Sequence, residues 1–278
     1  VVTTIDAADP EETVSVSVQH PIAVPGVRQV LPARRRLAVR LLSGFRLVAD
    51  ETIVPLPLVV QRLVAFLALA DRLLARSYVA GTLWPDKSEG RAAANLRSTL
   101  WRLRQPGVDL IHCTATTIGL RDDVHVDVRE LTTFCRRAVA GTASLGDILE
   151  FDSASFTGTA EVLPDWYDDW LLLERERVRQ LRLHATERVC AVLTEHERFA
   201  DAIEVALAAV ASEPLREASH RTLIAIHLAE GNRNEAVRQF ERYRTVVRDA
   251  LGLEPSPTIR RLLDGLHASE PARTWRGI

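Results

Sequence analysis

The spacing of apolar residues changes three times along the chain, and each change marks a new kind of element. In LAVRLLSGFRLVADETIVPL (Leu37 to Leu56) apolar and polar positions alternate on either side of Gly44 and of ADET. A period of two predicts short antiparallel strands joined by a turn, closed off by Pro55 and Pro57. From Leu58 the period lengthens. LVVQRLVAFLALA (Leu58 to Ala70) reads as a helix with Leu63, Phe66, Leu67 and Ala70 inward. SYVAGTLWP reads as a second, short helix with Ser77 as its N-cap and Pro85 as its stop. After the turn DKSEG, a third helix is expected from Glu89 to Gln105, capped by Ser88 and ended by Pro106-Gly107. Leu96, Leu100 and Leu103 form its inward stripe, and Arg91, Ser98, Arg102 and Gln105 fall on the other side. The period then returns to two. DLIHCTATTIGLRDDVHVD (Asp109 to Asp127) is rich in β-branched residues around a polar centre, which predicts a two-stranded hairpin.

Strands, three helices and a hairpin, in that order, outline a winged helix-turn-helix. The third helix is then placed to enter a major groove, and the hairpin to reach the adjacent backbone. Beyond Val128 the pattern is almost wholly helical and repeats itself. LRLHATERVCAVLTEHERFADAI begins at Leu181 and LREASHRTLIAIHLAEGNRNEAV at Leu215, an offset of 34 residues. That period, with Ala202 and Ala236 in register, matches tetratricopeptide helix pairs, which bury their apolar faces by stacking. PSPT (Pro255 to Thr258) opens a last helix, with Ser256 as N-cap and Pro257 at the first helical position. The expected fold is therefore mainly α with small β. A flexible tail over 1–37 precedes a winged helix over 38–127, a helical domain over 128–270 and a tail over 271–278. TVSVSVQH (Thr13 to His20) sits in the Asp-, Ser- and Pro-containing tail and is expected to stay unstructured rather than pair as an edge strand.

Charge sharpens the picture. The whole chain carries a net −2, which argues weakly against a nucleic-acid partner. The distribution argues the other way: residues 34–105 hold 13 basic and five acidic residues, while residues 128–278 hold 20 basic and 24 acidic. A local excess of +8 is what attraction to phosphate requires. Three scattered cysteines (Cys113, Cys135, Cys190) point to reduced thiols and not to a disulfide frame. Neither a membrane span nor a basic-then-apolar leader is visible, so a cytoplasmic, nucleoid-associated protein is expected.

GTLWPDKSEGRAAANLRSTLWRLR followed by a hairpin, and then LREASHRTLIAIHLAEGNRNEAVRQFERYRTVVRDALGLEPSPTIRRL, resembles the SARP family of actinobacterial transcription activators. LGLEPSP (Leu251 to Pro257) and the segment EPLRE are its most specific pieces, and the resemblance spans residues 38–268. It implies an OmpR-type winged helix followed by a bacterial transcriptional activation domain. It also implies promoter DNA and RNA polymerase holoenzyme as partners, a second protomer on adjacent DNA repeats, and targets among secondary-metabolite genes. Ile118-Gly119 stands in the wing where a Gly-Tyr pair is common. No Walker A motif is present, and no cofactor is expected.

Candidate residues follow from these placements. Arg91, Asn95, Ser98 and Arg102 are the base-facing candidates; an arginine fork can bond guanine and an asparagine adenine. Arg62, Arg76, Trp84, Arg97, Thr116 and Thr117 are the candidates for phosphate contact from the first helix, the second helix, the third helix and the wing. Trp101 lies off the leucine stripe and is expected to pack against the wing. His220 and His227 share a helix face but lack a supporting carboxylate or thiolate, so the reading is structural rather than metal-binding. In DWYDDW the tryptophans are expected to pack the following helix and Asp165 to cap it. No triad or Cys-His motif has local context, and no catalytic role is expected. Two functions remain open: a DNA-binding activator, and a helical-repeat scaffold whose winged helix binds protein.

Overall fold

The computed structural model describes residues 36–104, 108–151, 156 and 160–267. The Thr13–His20 alternation, the Gln105–Gly107 helix stop and the 271–278 tail lie outside them. The first alternating stretch forms β1 (Leu37–Arg40), β2 (Arg46–Ala49) and β3 (Thr52–Val54), all antiparallel, with Val39 opposite Leu47 and Leu47 opposite Val54. Asp50 and Glu51 join β2 to β3 with φ of 45° and 69°. Two left-handed residues give the turn a twist that matches the strands. The Asp50 carboxylate secures it by accepting the Arg36 N–H at 2.9 Å.

Helix α1 (Leu58–Ala70) occupies the expected residues. It is buried on more than one face (Val60, Leu63, Val64 and Leu67 are fully enclosed), because the sheet covers one side and later helices the other. A strand not foreseen, β4 (Leu74–Ala75), comes next and pairs with the wing. It moves the start of α2 (Arg76–Leu83) two residues back, so that Ala75 holds the N-cap position and Ser77 lies inside the helix. The Arg76 N–H donates to the Thr116 carbonyl at 2.9 Å and needs no capping side chain. Helix α3 (Glu89–Leu103) starts after Ser88, whose side chain makes no capping bond.

The expected single hairpin divides into two parts. β5 (Ile111–Cys113) and β6 (Thr117–Leu120) form the wing, in a sheet ordered β4-β6-β5. Gly119 explains the departure at Ile118-Gly119, since a Cβ there would stand 2.8 Å from Leu73 Cδ2 and 3.3 Å from the Arg72 carbonyl. β7 (His125–Val126) leaves the wing and runs parallel to β1, giving a second sheet ordered β3-β2-β1-β7. Burial of Val124 and Val126 draws it there.

Helix α4 (Asp127–Val139) begins where β7 ends. The Asp127 carboxylate accepts N–H bonds from Leu41 at 2.9 and 3.0 Å, Leu42 at 3.1 Å and Val128 at 2.7 Å. It thus ties the end of the first strand to the start of the helical half. Around it the chain is stitched repeatedly. Leu42 bridges Val162, and the Leu163 N–H donates to the Leu41 carbonyl at 2.9 Å. The Arg129 guanidinium covers the C-terminal carbonyls of α1, reaching Ala68 at 2.8 Å and Leu67 at 3.2 Å, with Asp71 at 2.9 Å. Burial lowers the pKa of Arg129, against the pull of Asp71.

Helix α5 (Leu145–Glu150) opens with a capping box between Ser144 and Asp147. Four helices follow: α6 (Asp169–Glu195), α7 (Phe199–Ser212), α8 (Glu217–Ala229) and α9 (Arg233–Leu251). The N-cap position of α6 is Asp168, not Asp165, because the Asp168 carboxylate is drawn to Arg62 and the helix starts behind it. Trp166 stacks on Phe45 and Trp170 meets Phe66 edge-on, with ring centroids 6.2 and 5.1 Å apart, so the tryptophans pack against the start of β2 and against α1 rather than against the following helix. The 34-residue repeat is visible in the packing. Val189 and Leu223, Cys190 and Ile224, and Ala202 and Ala236 are buried at equivalent places. Helix α10 (Pro257–His267) closes the stack, and Ser256 Oγ accepts the Thr258 N–H at 3.1 Å. Glu217, the first residue of α8, holds that cap by accepting the Ser256 N–H at 2.9 Å.

His220 is structural. Its Nε2 lies 2.9 Å from the Pro214 carbonyl and its Nδ1 2.8 Å from the Gln239 amide, with Tyr243 against the ring. Burial lowers its pKa. The thiols of Cys135 and Cys190 are pushed up to about 12 by burial, which leaves them unreactive. Among the described residues no helix is long and apolar enough to cross a membrane.

Two outcomes are expected. Asp127→Ala leaves buried N–H groups without acceptors and should cost about 3 kcal/mol in urea unfolding, at about 1–3 kcal/mol for each orphaned group. For His220, stability should be full above pH ~6.5 and fall as pH drops through that value. The unfolded chain then takes up a proton that the buried ring refuses. Urea midpoints at pH 7.5 and 5.5 should differ less in His220→Gln than in the parent chain.

Candidate nucleic-acid interface

Helix α3 is amphipathic in a way that fixes its outward direction. Ala92, Leu96, Thr99 and Leu103 are buried, and Thr99 satisfies its hydroxyl on the Asn95 carbonyl at 2.8 Å. Leu100, expected in the stripe, is only half-buried. At ~100° per residue, the direction opposite the buried arc is held by Ala94 and Trp101, with Ser98 roughly 50° to one side. Arg91 and Arg102 lie roughly 70–90° to that same side, and Arg97 and Arg104 roughly 50–70° to the other. All four arginines are exposed. Their side chains have no ion-pair or hydrogen-bond partner among the described residues, and Glu89 is the only acid within the helix.

Exposed arginines elsewhere divide: Arg40, Arg72, Arg188 and Arg242 also have no side-chain partner among the described residues, whereas others are paired. Arg177, Arg179, Arg198, Arg216 and Arg238 each face a carboxylate. So does Arg121 at the base of the wing, where its hydrogen bonds to Asp123, aided by Asp109, raise its pKa. Exposed cations left unpaired along about 20 Å of one helix form a surface suited to a polyanion.

The wing stands beside this face. Between α3 and β5 runs a groove of about 460 Å³ lined by Arg76, Arg97, Trp101, Arg104 and Cys113 among others. Arg76 braces it, with Nη1 donating to Cys113 Sγ at 2.8 Å and to the Thr114 carbonyl at 3.2 Å. At the wing tip Thr116 is exposed, while Thr117 Oγ1 is 2.8 Å from Thr114 Oγ1. The expected packing of Trp101 against the wing does not occur. The residue lines the groove but is 72% exposed.

The remaining candidates are dispersed. Asn95 is half-buried on the edge of the face, and Ser98 is exposed beside its centre. Trp84 is half-buried against the core at the end of α2. Arg62 lies elsewhere: its Nε donates to Asp168 at 3.0 Å, joining α1 to the start of α6. That engagement corrects its reading as a free phosphate contact. The part that Arg62 plays in the junction was not visible in the sequence, because Asp168 is 106 residues away.

Comparison with known proteins agrees with this architecture. The family profile of the bacterial transcriptional activator domain matches residues 136–266. Among solved structures, Mycobacterium tuberculosis EmbR, determined in complex with a low-affinity phosphopeptide, superposes with a TM-score of 0.57 at 22% identity. The match covers 85% of this chain and 66% of that one, so this chain spans about two thirds of EmbR's length. No curated protein matches.

The burial pattern of α3 separates two leucines that the sequence treats alike. Leu96→Ala should cost about 2–5 kcal/mol through an enclosed cavity. Leu100→Ala should cost about 1 kcal/mol, since much of that side chain already meets water. Urea melts of both variants check this, and equal losses would mean that the helix is rotated from the orientation described.

Proposed function

We propose that the chain is a SARP-type regulator, with a bacterial transcriptional activator domain behind a winged helix, and that it activates transcription by binding promoter DNA. The observation that carries this reading is the set of unpaired arginines on the outer face of α3. In it residues 38–127 hold the DNA and residues 128–270 meet RNA polymerase holoenzyme. A second protomer occupies the adjacent DNA repeat, and the targets are secondary-metabolite genes.

Helix α3 lies in the major groove. Arg91, Asn95, Ser98 and Arg102 reach base edges, and Arg76, Trp84, Arg97, Thr116 and Thr117 lie toward the phosphates from α2, α3 and the wing. An arginine at the groove floor offers two parallel N–H donors to guanine O6 and N7, which fixes both identity and register. The flanking cations release counterions and supply affinity without sequence preference. The helical half carries the acidic excess, which keeps it off the duplex and leaves its stacked faces for protein contact.

The test uses the full chain, because Asp127, Arg129 and Arg62 tie the winged helix to the helices behind it. Fluorescence anisotropy on labelled duplexes should give a log K against log salt slope of about −4 or steeper, from ~0.9 per neutralised phosphate. Arg97→Ala should reduce the slope by about one and weaken all duplexes alike. Arg102→Ala should cost about 1–3 kcal/mol on a selected duplex and less on random sequence. Arg62→Ala should lower stability and leave the slope unchanged. Absence of binding at ~50 mM salt, where phosphate contacts are strongest, would sink the reading and favour a protein-binding winged helix.

A further inference from the structure

We propose that Trp101, with Ala94 and Ser98, forms a strip that reads thymine in the major groove through its 5-methyl group. This rests on the DNA-binding reading above and adds the base that the centre of the helix recognises. The first ground is position. Trp101 is 72% exposed and lies with Ala94 on the line opposite the buried residues of α3, Ser98 standing beside that line. Ala94 and Trp101 are seven residues apart, two helical turns, so they stand one above the other. A large aromatic held out in water at the centre of a helix face has no role in the core, and the wing does not cover it.

The second ground is what surrounds the strip. Arg97 and Arg104 flank it on one side and Arg91 and Arg102 on the other, all four exposed. A partner that meets both rows must offer anions or hydrogen-bond acceptors on either side of an apolar group. The major groove of B-DNA has that profile. It is ~12 Å wide, it admits one helix, its walls are phosphate, and the thymine methyl is the apolar group on its floor. The middle of the outward face then meets the groove floor, with Arg91 and Arg102 reaching base edges on one side and Arg97 and Arg104 lying toward a strand on the other. The indole N–H has no partner among the described residues, and thymine O4 beside the methyl is an acceptor it can use.

The test selects a duplex from a randomised 20-base-pair pool with the full chain, then replaces each thymine in turn by deoxyuridine, which lacks only the methyl. At one or two positions the replacement should weaken binding about three- to fivefold, the loss expected for one buried methyl. Trp101→Ala should bind the thymine and uracil duplexes equally. Trp101→Phe, which keeps a ring, should retain the discrimination. Circular dichroism of both variants should match the parent, because the residue is on the surface.

Tight binding of the selected duplex with no effect of deoxyuridine anywhere would overturn the thymine proposal and leave the DNA-binding reading intact. Discrimination that persists in Trp101→Ala would assign the methyl contact to another residue and overturn it as well. If Trp101→Ala weakens every duplex equally and deoxyuridine is silent, the indole stacks on the sugar backbone, and the proposal fails. If no duplex is enriched, the DNA-binding reading falls and takes this one with it.

Discussion

A single carboxylate joins the two halves of this molecule. Asp127 follows the last strand and opens the first helix of the helical half, and from there it accepts the N–H groups of Leu41 and Leu42 at the end of β1. Those groups sit where the sheet runs out of strand partners and would otherwise be buried without acceptors, a costly arrangement. A charged acceptor makes these bonds stronger than a neutral one would. Once β1 and α4 are fixed to each other, the other cross-links fall within reach: Arg129 on the end of α1, Arg62 on Asp168, and the 160–163 segment along Leu41 and Leu42.

That junction divides the arginines into two uses. Arg129 and Arg175 act inward as caps for backbone carbonyls, and both are largely shielded from solvent. Arg175 holds the Val162 carbonyl at 2.7 Å and the Trp166 carbonyl at 2.8 Å, which steadies a segment that contains Leu163 at a φ of 48°. The arginines of α3 point away from the junction and find no acceptor within the described protein. One residue type is thus an internal clamp in one place and an unpaired surface cation in another, and only the fold distinguishes them.

Much of the architecture was legible because periodicity is a local property. Helix α1, the span of α3, the wing and the 34-residue repeat all follow from spacing, and Ser256 caps α10 where the Ser-Pro pair placed it. Elements made by distant pairing were not legible. β4 and β7 are two residues long, too short to carry a pattern, and exist because β6 and β1 offer edges to them. The N-cap of α2 was misplaced for the same reason, since the Thr116 carbonyl does the work assigned to Ser77. At the candidate interface the arginine-rich face could be read from the helix alone. Its centre could not, because Thr99 replaces Leu100 in the buried arc and turns the outward direction from Arg102 toward Trp101.

The stitching around Asp127 has a consequence for geometry along a promoter. A reader joined to its effector by a loose linker can present that effector at any angle around the duplex. Here the winged helix and the helical stack share one compact body, so binding would fix the azimuth of the stack as well as its position. The duplex turns once in ~10.5 base pairs, and a shift of about five would carry the stack to the opposite side. Helical phase, more than distance, would then decide which spacings between binding site and promoter are productive.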